Sequence, residues 1–174
     1  MQTTLYTIGH GNKTLEVFLE ELRTFDIHYL IDVRSKPYSK YNPQYNKKSF
    51  EAVLKRENVK YVFLGKQLGG IPDDPSCYTN DKVDYEKVKE KDIFKEGLAR
   101  LLIAHEKKIK VAMMCSEGMP QYCHRTKLIG RELMKKGICI NHILSKEKIK
   151  DQKTVLFELT KGFGEFDLFG NSIL

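Results

Sequence analysis

The sequence has no tryptophan, only four cysteines and only five prolines in 174 residues. Cys77, Cys115, Cys123 and Cys139 are too few and too irregularly spaced for a disulfide-stapled secreted scaffold. No Cys-x-x-Cys pair offers half of a zinc site. No apolar run approaches the ~20 residues that a membrane-spanning helix requires. The Met-Gln-Thr-Thr start also lacks the basic region and apolar stretch of a secretory signal. These absences predict a soluble cytoplasmic protein with no membrane partner and with its cysteines as thiols. Apolar residues at 41% and charged residues at 30% allow a buried core and argue against disorder throughout. Neither an internal repeat nor a linker-like shift in composition divides the chain. Residues 1–174 therefore read as one domain.

What is present is a regular alternation of two periods. Short apolar runs at Leu5–Ile8, Tyr29–Val33, Lys60–Leu64, Val111–Met114 and Ile138–Leu144 read as five strands. Between them lie helical stripes. The first is Leu15, Phe18, Leu19 and Leu22, with Thr14 as N-cap. The second runs from Phe50 to about Asn58 with Ser49 as cap, the third from about Ile93 to Glu106, and the fourth from near Cys123 to Gly137. Strands separated by helix-length segments predict an α/β fold: a mainly parallel five-stranded sheet with helices on both faces, a Rossmann-like three-layer arrangement. Gly65 to about Asp92 lacks periodicity and reads as a long loop. Residues 146–174, rich in phenylalanine, read as an irregular C-terminal appendage packed on the domain.

In such a sheet, ligands sit beyond the carboxyl ends of the strands. One of those ends opens Cys115-Ser116-Glu117-Gly118-Met119-Pro120-Gln121-Tyr122-Cys123-His124-Arg125. A thiol at a helix start next to a guanidinium is biased toward thiolate, because the helix dipole and nearby cations favour the anion. Cys123 and Cys115 are thus the candidate nucleophiles, His124 and Glu117 candidate proton-transfer groups, and Arg125 a candidate anion clamp. The plainer alternative is a pair of buried small hydrophobes beside a surface His-Arg. Gln121 stands where a Cys-x5-Arg phosphatase loop starting at Cys115 would need arginine. Adjacent Cys123 and His124 are poorly placed to chelate one ion, so no metal and no cofactor are expected. A Cys115–Cys123 disulfide remains an open alternative.

At the first strand's exit, Gly9-His10-Gly11-Asn12 puts a histidine between two glycines, and His10 joins the catalytic candidates. At the second, Asp32 and Arg34 are expected to point to opposite faces, Arg34 toward the pocket and Asp32 buttressing a neighbouring turn. The stretch Arg34–Lys66 carries nine basic and two acidic residues, so its +7 equals the net charge of the whole chain. Within it, Ser35 to Lys47 interleaves tyrosines with lysines, a pattern suited to stacking on bases and contacting phosphates. Arg34, Arg125, Asn12, Tyr38, Asn42 and Tyr45 are accordingly the candidate ligand-binding residues. A solvated lysine-rich loop is the bland reading of the same stretch.

Tyr6-Thr7-Ile8-Gly9-His10-Gly11-Asn12, Asp32-Val33-Arg34-Ser35 with Asn42-Pro43-Gln44-Tyr45-Asn46, Leu68-Gly69-Gly70, and Cys115-x-Glu117 leading to Cys123-His124-Arg125 occur in that order. Together they resemble the bacterial and archaeal domain-of-unknown-function 488 family from Leu5 to about Leu144. The resemblance implies an α/β fold and a cysteine motif suggestive of enzymatic activity, with no established reaction. Gly11 stands where the family usually has serine, so no hydroxyl is available there.

The expectation is an enzyme or enzyme-like site for a phosphorylated or otherwise anionic small molecule, or for nucleic acid. Two alternatives are a nucleic-acid-binding module built on residues 34–48 and a nucleotide-binding regulatory domain without turnover.

Overall fold

Residues 4–160 are described by this computed structural model. The chain starts with β1 (Leu5–Gly9) and α1 (Leu15–Thr24), whose first turn is capped by the Thr14 hydroxyl accepting the Val17 N–H at 3.3 Å. β2 (Tyr29–Asp32) follows, then a 3-10 turn at Pro43–Tyr45 that runs into α2 (Lys47–Arg56) and β3 (Lys60–Phe63). Because that turn already bends the chain, α2 starts two residues before the expected Ser49 cap. Ser49 instead donates its hydroxyl back to the Asn46 carbonyl at 3.0 Å.

The aperiodic stretch after β3 is more ordered than its sequence suggests. It holds α3 (Gly65–Leu68), a 3-10 turn at Pro75–Cys77, the small hairpin β4 (Tyr78–Thr79) and β5 (Lys82–Val83), and α4 (Tyr85–Glu90). Each piece is too short to print a period, and the side chains of Asp74 and Asp84 cap two of them. Next come α5 (Asp92–Glu106) and β6 (Val111–Cys115), then a 3-10 turn at Pro120–Tyr122. A π-helical turn, Arg125–Gly130, leads into α6 (Arg131–Lys135). β7 (Asn141–Ser145), β8 (Lys148–Asp151) and α7 (Gln152–Leu159) complete the described chain.

The main sheet runs β3-β2-β6-β1-β7-β8. The five expected strands are all parallel, and β8 adds a sixth, antiparallel to β7. Sequence reading placed an irregular appendage here, but residues 148–159 form an edge strand and a helix, the latter capped by Asp151. Lys148 and Lys150 alternate with Ile149 and Asp151, the lysine-rich composition of an edge strand that hides its period. Phe163, Phe166 and Phe169 lie outside the described residues.

Side chains alternate across the sheet with period two. Leu5, Ile31, Val33, Val111, Met113 and Cys115 join one cluster with α3, α5 and α6. Tyr6, Ile8, Leu30, Ala112 and Met114 join the other with α1 and α2. Three layers result. Strands β1, β2 and β6 lie side by side at the centre, so their carboxyl ends deliver His10, Asp32–Arg34 and Cys115 to a single edge. The exits are locked together: His10 and Gly11 donate backbone N–H bonds to the carbonyls of Cys115 and Ser116 at 3.0 Å. A Cβ at Gly9 would lie 2.1 Å from the Glu117 carbonyl oxygen, so only glycine permits this approach. No helix among the described residues is long and apolar enough to cross a membrane.

Phe50 anchors the α2 side, edge-on to Phe18 at 5.6 Å and to Tyr45 at 5.2 Å. Phe50→Ala is expected to cost about 3–5 kcal/mol in urea unfolding, through lost transfer energy plus a cavity.

Candidate functional site

The sheet's alternation sorts the expected site residues into two groups on either side of the edge. On the α5/α6 side, Cys115, Cys123, His124 and Arg125 come together, all buried. On the α1/α2 side, His10, Asp32, Arg34 and Tyr45 come together, also buried. The remaining candidates are not drawn into either group. Glu117 is exposed and its carboxylate accepts the Met119 N–H at 2.9 Å. Asn12 and Tyr38 are exposed, and Asn42 is half-buried in the loop before α2.

The thiol group forms at a change of backbone conformation. Cys123 is extended (φ −110°, ψ 147°), and His124 turns into the helix (φ −59°, ψ −19°). That turn swings two adjacent side chains to the same side. His124 Nδ1 lies 3.6 Å from Cys123 Sγ and 3.9 Å from Cys115 Sγ. His124 Nε2 sits 3.1 Å from the Val33 carbonyl, which can only accept, so Nε2 carries the proton. In the neutral ring the Nδ1 lone pair therefore faces both sulfurs. A Cβ at Gly70 would come within 2.8 Å of that Nδ1. This gives the Leu68-Gly69-Gly70 motif its physical sense: a bare backbone passes over the ring.

Arg125 is not a free anion clamp. Only 1% exposed, it points its guanidinium inward. Nε–H donates to Cys123 Sγ at 3.1 Å, Nη1 lies 3.5 Å from the Thr7 hydroxyl, and Nη2 donates to the Glu117 carbonyl. Thr7 continues a buried chain. Its hydroxyl is 2.7 Å from His142 Nδ1, His142 Nε2 is 2.8 Å from Gln152 Oε1, and Gln152 Nε2 donates to the Thr126 carbonyl at 3.0 Å. No carboxylate pairs with Arg125 among the described residues.

Cys123 is therefore the ionisable partner of a buried cation. The neighbouring Cys115 thiol, together with the Arg125 guanidinium and backbone N–H, favours its thiolate against burial, lowering it to about 6. The same sulfur–sulfur pairing, together with burial, pushes Cys115 up to about 11. Both are thiols, with no disulfide between them.

Arg34 is likewise internally committed. Residues two apart in a strand share a face, and Arg34 Nε and Nη2 grip both oxygens of Asp32 at 2.9 and 2.7 Å. Nη2 also donates to the Tyr45 carbonyl at 2.8 Å, and Tyr61 donates its hydroxyl to Asp32 at 2.7 Å. Asp32 also accepts the Arg34 backbone N–H at 3.1 Å, so it braces the turn at the strand exit as well as the guanidinium, and Tyr61 is a member of this group that sequence reading missed. It looked like an ordinary strand residue; the one available signal was its register opposite Leu30, beside Asp32. Tyr45 is a buried strut, donating to the Lys13 and Thr14 carbonyls at 3.1 Å rather than facing a ligand. His10 stacks on Tyr45 with centroids 4.3 Å apart and planes 12° from parallel. Its Nδ1 is 2.9 Å from the Gly11 carbonyl, which leaves Nε2 buried without a partner among the described residues. Burial lowers the pKa of this histidine, keeping an unpaired acceptor at the edge.

The metal expectation also changes. The donor atoms of Cys115, Cys123 and His124 all lie within 4.8 Å of one another. Tetrahedral zinc–sulfur and zinc–nitrogen bonds of about 2.3 and 2.0 Å place such donors roughly 3.5–3.8 Å apart. Adjacent Cys123 and His124 converge because the backbone changes from extended to helical between them.

Two tests follow. Asp32→Ala leaves Arg34 buried without its counter-charge and is expected to cost about 3–5 kcal/mol in urea unfolding. Burial holds His142 down at about 4, so an unfolded chain binds its proton first as pH falls. The stabilisation from neutral His142 is present above about 6.5 and lost as pH drops through 4. Urea midpoints should decline across this window, and His142→Gln should flatten the decline.

The model of the domain of unknown function DUF488 matches residues 14–131. The match takes in Asp32–Arg34, Leu68–Gly70 and Cys115–Arg125 and begins just after the His10 segment. No curated protein and no solved structure matches the chain. With more than half of its length covered, and with the thiol cluster inside the matched stretch, the chain belongs to the DUF488 family.

Proposed function

We propose that the protein is a cysteine-dependent enzyme with Cys123 as its nucleophile. One observation carries this reading: a guanidinium 1% exposed has the Cys123 sulfur, 3.1 Å from its Nε, as its only ionisable partner among the described residues. Burying an arginine without a counter-charge is costly, so the folded state favours the thiolate. In the reaction we infer, this sulfur bonds to an electrophilic carbon or phosphorus as the leaving group departs with its electron pair. Water then breaks the adduct and regenerates the thiolate. The water's proton passes to the His124 Nδ1 lone pair and on to the departed group. Cys115 holds the thiolate by its S–H bond, and His10 offers a second buried acceptor across the edge. The arginines act as internal struts, so recognition of an anionic substrate falls to the rim of the site.

A second reading is supported by the convergence of three donor atoms. Cys115, Cys123 and His124 could hold a soft divalent cation such as zinc, leaving one coordination position open, with the His124 Nε2–H bond to Val33 orienting the ligand ring.

Alkylation rates of Cys123, followed by peptide mass spectrometry across pH, separate these readings. The nucleophile reading expects an apparent pKa near 6, a rise of that value in Cys115→Ala, and no change on adding a chelator. Titration at the ordinary value of about 8.5 overturns it. One equivalent of zinc by elemental analysis, with labelling only after chelation, favours the metal site.

A further inference from the structure

The molecule's charge is neutralised unevenly. Outside Arg34–Lys66, half of the described lysines sit against acids, among them Lys91 on Asp74 at 2.9 Å, Lys110 on Asp26 at 3.0 Å, Lys135 on Glu132 at 2.6 Å and Lys146 on Glu20 at 3.0 Å. In Arg34–Lys66, only Arg34 has an acidic partner, Asp32; the other basic side chains form no ion pair among the described residues. One of the segment's two acids, Glu57, is taken by Arg23 from outside it. The +7 of this segment is thus exposed positive potential rather than salt-bridged charge.

Much of that charge lies at the carboxyl edge of the sheet. Lys36 and Lys40 are on the loop leaving β2, Lys47 and Lys48 open α2, and Lys66 is in α3 directly behind β3; all are exposed. Lys47 stands 4.7 Å over the Phe63 ring at the end of β3, which fixes the α2 start to this edge. A Cβ at Gly65 would lie 2.0 Å from the Arg34 carbonyl, so the α3 lysine and the β2 loop are neighbours.

Exposed aromatic rings share the edge. Tyr38 is 72% exposed and Tyr41 84% on the β2–α2 loop, and Tyr122 is 66% exposed on the loop between β6 and Cys123. Lys40 places its ammonium 5.4 Å from the Tyr41 ring centre. Exposed large rings on loops that leave one sheet edge mark an interaction surface. Duplex nucleic acid offers mainly backbone to such a surface, and an acidic peptide has no planar faces for the rings. Unpaired bases have both: a π-face for each tyrosine and a phosphate for each lysine.

We propose that this edge binds single-stranded nucleic acid, with bases stacked on Tyr38, Tyr41 and Tyr122 and phosphates on Lys36, Lys40, Lys48 and Lys66. That the bound strand is also the substrate rests on the reading of Cys123 above; binding itself does not.

The experiment is fluorescence anisotropy of labelled oligo-dT and oligo-U with the full chain across salt concentrations. Affinity should fall with salt, and each of Lys36→Gln and Lys48→Gln should lessen the log–log slope by about 0.7. Tyr38→Ala and Tyr41→Ala should each weaken binding by roughly tenfold and leave the slope unchanged. These are surface positions, so folding is not at stake. No binding at low salt, equal affinity for duplex, or equal competition by polyglutamate overturns the proposal. In a separate arm, saturating oligonucleotide should protect Cys123 from alkylation. Binding without protection overturns the substrate link alone, and an ordinary thiol pKa with intact binding overturns the enzymatic reading alone.

Discussion

The centre of this structure depends on a charge that has been taken out of water. Arg125 is almost wholly buried, and a bare guanidinium in that position would be ruinous for a domain of marginal stability. It is tolerated because each of its three guanidinium nitrogens finds something to hold: a sulfur, a hydroxyl and a carbonyl. Of these, the sulfur of Cys123 alone can take up negative charge. The Arg125–Cys123 contact therefore bears on the stability of the interior and on the acidity of the thiol together, because the guanidinium favours the charged form of the sulfur it touches.

The support behind Arg125 runs through three elements. Thr7 on β1, His142 on β7 and Gln152 on α7 form a relay of hydrogen bonds that returns to the Thr126 carbonyl in the π-helical turn. The turn that carries Cys123-His124-Arg125 is thus braced by strand β7 and by a helix in the segment that sequence alone left irregular. π-Helical turns are uncommon and concentrate at functional sites. Here the extended-to-helical step between Cys123 and His124 aims neighbouring side chains at one point.

Across the sheet edge, a second compensated charge mirrors the first. Asp32 is fully buried, accepts from Arg34 and Tyr61, and fixes the loop that leaves β2. Both arginines that resembled ligand clamps are held by internal partners, and the lysines of the same loop and its neighbours form no ion pair among the described residues. The two layers of charge have separate consequences. Buried pairs shape the site, whereas the exposed cations project a positive potential that salt screens.

The amino-acid sequence by itself determined the layer architecture. Apolar runs such as Leu5–Ile8 and Val111–Met114 can be satisfied only inside a covered sheet, and Phe18, Leu19 and Leu22 can pack only as a helical stripe. Sequence also located the thiol cluster, because strand-exit motifs of a parallel sheet converge on one edge whatever the details. It could not assign roles within that cluster. Whether Arg34 and Arg125 face a ligand or the interior depends on side-chain alternation and on partners distant in sequence, such as Thr7 and Arg125, which lie 118 residues apart. The short elements between residues 65 and 92, and the β8 edge strand, carry too few turns of any period to be read locally. Only the tertiary structure decided that Cys123 and His124 point to one place and that Arg125 is spent on a sulfur. Both facts arise from long-range packing around a buried charge, which no local pattern records.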